Sequence, residues 1–90
     1  MEPRAVEVRV VGLVQGVFFR ARCADQAARL GVRGWIRNEN DGSVRGHFEG
    51  TAEAVEELVG WCHTGSPRAS VDRVDVRDVD PDGAAGFSTD

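Results

Sequence analysis

Val6, Val8 and Val10 alternate with Glu7 and Arg9 near the start of the chain. A two-residue period over this length predicts a half-buried strand across residues 6–12. The period then changes. From Phe19 to Leu30 the residues Cys23, Ala24, Ala27, Ala28 and Leu30 recur close to helical spacing, and Gly31 supplies a stop. The small side chains on that face let the helix lie close to a sheet. Residues 32–38 and 43–49 read as a second and a third strand. Asn38-Glu39-Asn40-Asp41-Gly42 between them has hairpin chemistry, with Asp-Gly supplying positive φ. In the third strand Val44 and Phe48 fall on one face, while Arg45, His47 and Glu49 fall on the other, a polar stripe expected to face solvent.

Thr51 is a good N-cap and Glu53 suits a first turn. Val55, Leu58, Val59 and Cys62 follow at the spacing of an amphipathic helix, which Gly60 weakens and Gly65-Ser66-Pro67 ends. Val71, Val74, Val76 and Val79 mark a fourth strand, and their odd-to-even shift predicts a bulge or a late start. Residues 80–86 read as loop, and Phe87 begins a short last strand.

The order is β-α-β-β-α-β. Right-handed crossovers turn two such units into a ferredoxin-like split β-α-β sandwich. The predicted class is therefore α+β, an antiparallel sheet with two helices on one face, built as a single domain over residues 1–90.

Composition narrows the partners. Eleven basic residues, all arginine, stand against 15 acidic ones, for a net charge of −4 and a pI near 5.1. That balance argues against nucleic acid. The absence of lysine removes Schiff-base chemistry and any Walker-type phosphate loop. No apolar run approaches the ~20 residues of a membrane span, and Met1-Glu2-Pro3-Arg4 does not lead into a signal sequence. Cys23 and Cys62 are too few for a disulfide framework and match no zinc spacing. Both fall on apolar helix faces and read as small buried hydrophobes. His47 and His63 are isolated and read as structural or solvated. These features predict a cytoplasmic monomer.

The chemistry lies in two segments. Gly12-Leu13-Val14-Gln15-Gly16-Val17-Phe18-Phe19-Arg20 runs from strand through a glycine-bearing loop to a helix start, the layout of an anion cradle. Arg20 stands at the head of the helix, where its planar fork can grip phosphate or carboxylate. An ordinary βα loop with a surface arginine fits the spacing equally well. Asn38 closes the second strand, where its amide could position a water or simply start the turn.

Taken together, the first segment, Gly31-Val32-Arg33-Gly34-Trp35-Ile36-Arg37-Asn38 and Asp41-Gly42-Ser43-Val44 resemble the acylphosphatase family. They are similar to its G-x-V-Q-G-V-x-F-R and G-x-x-G-W-V-x-N-x-x-D-G-x-V signatures, with Ile36 replacing Val. Gly65-Ser66-Pro67 and Val71-Asp72 also look like the family's helix-to-strand turn. The likeness covers residues 5–80. It implies the same ferredoxin-like fold and hydrolysis of the carboxyl-phosphate bond of acyl phosphates, with inorganic phosphate as product. It implies that Gln15, Gly16, Val17, Phe18, Phe19 and Arg20 bind the phosphate. Arg20 would be the guanidinium clamp and Asn38 would hold the attacking water, with no metal and no cofactor. The departure is after Phe87, where Ser88-Thr89-Asp90 replaces an apolar edge strand, so that strand is expected to be short or frayed.

Other readings share this fold class. A noncatalytic ferredoxin-like regulatory or interaction module would not require both Arg20 and Asn38. An RNA-recognition domain shares the element order but stacks bases on strand aromatics; here the third strand offers only Phe48, assigned to the core. A metal chaperone of this fold would need paired cysteines in the first loop.

Overall fold

The computed structural model describes residues 3–90. Its elements are β1 (Pro3–Leu13), α1 (Phe19–Leu30), β2 (Arg33–Asn38), β3 (Val44–Thr51), α2 (Ala52–Thr64), β4 (Ser70–Asp78) and β5 (Phe87–Thr89). The sheet order is β4-β1-β3-β2-β5. The first four strands pair antiparallel, as the order of elements predicts. The fifth differs: β5 pairs with β2 in parallel. Strand β4 ends, and β2 begins, at the same end of the sheet. The chain crosses that end through residues 79–86 and therefore enters β5 running alongside β2. Short as it is, β5 is paired, and Asp90 N–H continues the ladder to Ile36 O at 2.9 Å.

The core follows the valine periods. Val6, Val8 and Val10 of β1, Ile36 of β2, and Val44 and Phe48 of β3 are buried against Cys23 and Ala27 of α1 and Val55, Leu58 and Cys62 of α2. Each large apolar side chain so buried contributes about 1.5–3 kcal/mol of transfer free energy. Small residues at 23 and 27 let α1 sit close, whereas Ala28 lies exposed. Thr51 caps α2 by accepting from Ala54 N–H at 3.2 Å. The valine phase shift in β4 is a bulge: Val11 pairs with Arg73 and Gly12 with Val71, leaving Asp72 without a partner position.

One expectation is overturned. His47 and Glu49 are not solvated; they are 5% and 1% exposed. The crossing loop covers them. Glu49 accepts from His47 Nε2 at 2.7 Å, from Asp82 N–H at 2.7 Å and from Ala84 N–H at 2.8 Å. Because the carboxylate only accepts, Nε2 carries the proton in this bond. The His47 ring also stacks on Trp35, whose ring lies 4.8 Å from the Arg37 guanidinium. Trp35 is thus a packing residue of the helix-free face.

Candidate functional site

Residues 14–18 join β1 to α1. Gly16 (φ 74°) and Phe18 (φ 62°) both take the left-handed conformation. At Gly16 this is easy; at Phe18 it is a backbone state that L-residues with a side chain seldom adopt. Left-handed residues among right-handed ones turn successive N–H groups toward a common side, the geometry of an anion nest.

The first turn of α1 is left electropositive. Phe18 occupies the N-cap with no side-chain hydrogen bond, and no acidic residue lies in that turn. Among the described residues, no backbone N–H from positions 15–20 reaches a protein acceptor. Helix α2 shows the opposite treatment, with Thr51 capping and Glu53 in its first turn. The free N–H groups and the positive end of the α1 dipole are therefore available to an anion.

A cavity of about 350 Å³ opens over this loop, lined by Val14, Gly16, Phe18, Phe19, Arg20, Ala21 and Asn38. Arg20 is half-buried, and its Nη1 donates to the main-chain oxygen of Asp90 at 2.6 Å. That bond orients the guanidinium at the cavity wall. Asn38, at the end of β2, is exposed.

The remaining predicted residues divide. Gly16, Phe18 and Phe19 line the cavity, whereas Gln15 and Val17 do not. Gln15 turns its amide away, and Nε2 donates to Glu39 O at 2.7 Å and Ser43 O at 2.9 Å. It thereby ties the β1–α1 loop to the turn that follows Asn38. That turn is stiffened by Asp41, which accepts from Ser43 N–H at 2.9 Å and from Ser43 Oγ at 2.6 Å. Those two bonds, the hydroxyl first, hold the Asp41 carboxyl below the usual aspartate range.

Two supports were not singled out from the sequence. Ser66 is buried and donates its hydroxyl to Val17 O at 2.6 Å, fastening the α2–β4 turn to the loop. The Phe19 and Trp61 rings meet at 5.1 Å and anchor the start of α1 on α2. Only the position of Ser66, a serine before a proline at a helix end, hinted at its role.

Other clusters are internally satisfied. A cavity of about 490 Å³ is lined by Glu7, Arg9, Glu39, Asn40, Asp41 and Arg45. Its charges pair with one another: Arg45 with Glu7, Arg9 with Asp41, and Arg45 with Glu39 at 3.7 Å. The bond from Arg45 holds Glu7 below the ordinary glutamate value against a smaller opposing effect of burial. Cys23 and Cys62 are free and buried. The neighbouring Cys62 thiol, then burial, pushes the Cys23 thiol far above its usual range.

Comparison with known proteins gives a consistent answer. The family model for acylphosphatase matches residues 6–89. An acylphosphatase of Natronomonas pharaonis is 54% identical over 80 residues, covering 89% of this chain and 87% of that one. Among solved structures, an acylphosphatase from Coxiella burnetii superposes with a TM-score of 0.94 at 30% identity, covering 98% of this chain and 93% of that one. The acylphosphatase of Bacillus subtilis gives 0.93 at 30% identity, covering 98% of both chains.

Proposed function

Because the chain belongs to the acylphosphatase family and is a hydrolase of acyl phosphates, we propose that loop 15–20 binds the phosphate, that Arg20 clamps it, and that Asn38 orients the attacking water. The observation that carries this reading is that Arg20 and Asn38, from separate elements, line one cavity together with Gly16 and Phe18.

The chemistry fits those groups. Phosphoryl transfer passes through a loose transition state with charge spread over the equatorial oxygens. Unpaired N–H groups and a held guanidinium stabilise that charge without having to reorganise. Water attacks phosphorus, the bond to the acyl oxygen breaks, and a carboxylate departs with its electron pair. Its conjugate acid has a pKa of about 4, so no general acid is needed. The neutral amide of Asn38 is not a base; it aligns the water, and alignment alone is a large effect. The water's proton passes to an oxygen of the substrate's own phosphate. No metal or cofactor enters this scheme, and the products are the carboxylate and inorganic phosphate.

We also read the protein as a cytoplasmic monomer. Both cysteines remain free thiols, and no helix among the described residues is long and apolar enough to cross a membrane.

The test is hydrolysis of benzoyl phosphate at neutral pH with chelator present. Arg20→Ala should lower kcat/KM by at least ~10² and weaken competition by inorganic phosphate. Asn38→Ala should lower kcat while phosphate competition stays intact. Equal loss of phosphate binding in the Asn38 variant would contradict the water role, and a pH–rate profile that tracks an enzyme carboxylate would contradict the proton route.

A further inference from the structure

Seven of the eleven arginines lie within 4.0 Å of a side-chain carboxylate. Among the described residues, four do not: Arg20, Arg22, Arg33 and Arg68. Three of those four gather around the phosphate loop. In a chain of net charge −4, this gathers the arginines without a side-chain carboxylate partner on one side of the molecule.

Arg20 belongs to the cavity already described. Arg22 and Arg68 belong to a second one, of about 310 Å³, lined by Val17, Phe18, Arg22, Pro67 and Arg68. Phe18 lines both cavities and is 74% exposed. Its backbone is left-handed (φ 62°), and the residue forms part of the wall of each. Arg22 follows Arg20 by two positions on α1, so the two guanidinium groups leave the helix on different faces. Arg68 arrives from the α2–β4 turn, which the Ser66 hydroxyl fastens to the phosphate loop through Val17 O. The second cavity is therefore built on the same bonded frame as the first.

We propose that this second cavity receives the acyl end of the substrate, and that Arg22 and Arg68 recognise an anionic group carried there. The favoured class is then acyl phosphates whose acyl portion bears a carboxylate or a second phosphate, with the Phe18 ring against the apolar part between the two charges. The proposal rests on the assignment of the transferred phosphate to the Arg20 cavity. Paired guanidinium groups suit either anion. Both arginines are exposed, so their effect is modest and screened by salt.

The test compares 4-carboxybenzoyl phosphate with its neutral counterpart 4-carbamoylbenzoyl phosphate, which matches it in size. A third substrate carrying a phosphonate at the same position separates the two anion types. Wild type should favour the carboxylated substrate by about three- to tenfold, mainly through KM, with the preference shrinking as salt is raised. In Arg22→Gln/Arg68→Gln the ratio should fall to about one, and Arg68→Glu should push it below one. A phosphonate preference that exceeds the carboxylate preference and is lost in the same variants supports the subsite and identifies phosphate as its better ligand. A wild-type ratio near one for both anionic substrates, or a ratio that survives the double variant, overturns the subsite alone. No turnover of any of the three, with phosphate bound equally by wild type and Arg20→Ala, overturns the phosphate-site reading and this proposal with it.

Discussion

Glu49→Gln tests the buried network under the crossing loop. Three donors converge on the carboxylate: His47 Nε2–H and Asp82 N–H on Oε2, and Ala84 N–H on Oε1. A glutamine offers one oxygen and one NH2. In its better orientation it keeps the first two bonds in weaker, neutral form and sets its NH2 against Ala84 N–H. One charge-assisted bond is lost and a half-buried donor is left without a protein partner, at up to roughly 1–3 kcal/mol, and weakening of the other two adds about 1 kcal/mol. A total near 3 kcal/mol is a large share of the ~5–15 kcal/mol that holds a domain together. For a chain of this size it corresponds to a fall in Tm of roughly 12–24 °C.

The pH dependence gives a second readout of the same variant. Burial alone would raise the pKa of Glu49, but the His47 bond and the two N–H bonds outweigh it and hold the group below the ordinary glutamate value. A carboxyl depressed on folding stabilises the native state above its unfolded pKa of about 4.3. That contribution disappears as pH falls through the lower folded value. Circular-dichroism melts should therefore show a full gap between wild type and Glu49→Gln from about pH 7 to 5, narrowing below about pH 4. Hydrogen exchange at Asp82 and Ala84 should quicken in the variant. Melts that coincide at pH 7, or a gap that persists unchanged to about pH 3, would refute the network argument.

Further expectations concern the site and the core. Arg20→Lys should not restore activity, because an ammonium lacks the planar fork; kcat/KM within about tenfold of wild type would refute a bidentate grip. Gly34→Ala should be severely destabilising. Gly34 has φ 139°, and an added Cβ would lie 1.8 Å from His47 O on the neighbouring strand, so a melting temperature close to wild type would show that the two strands separate more easily than their pairing implies. Cys23 and Cys62 should resist a thiol reagent in the native protein and react at the rate of unfolding, since both are buried and the Cys62 thiol beside it also disfavours the Cys23 thiolate; fast labelling without denaturant would count against that.

What was legible in the sequence is what repeats or what matches the family signatures. The valine period located β1, the change of period located α1, and the phase slip from Val71 to Val74 foretold the bulge at Asp72. The Arg20 and Asn38 segments were visible as motifs. The burial of His47 and Glu49 was not, because two of the three donors that satisfy Glu49 are backbone N–H groups more than thirty positions away, which no side-chain pattern displays. The same holds for Gln15: its partners are the carbonyls of Glu39 and Ser43. The parallel pairing of β5 escaped as well, since three residues are too few to carry a period and the direction is set by where β4 ends.

The strand order leaves the sheet with two open borders, β4 and β5. Unpaired borders invite a strand from another molecule. Along β4 such a visitor would meet the bulge at Asp72 and the charges of Arg73, Asp75, Arg77 and Asp78. Along β5 it would find only three residues to pair with. Neither border offers a long, flat, apolar template, so in crowded solution molecules of this protein should meet and part without growing into fibres.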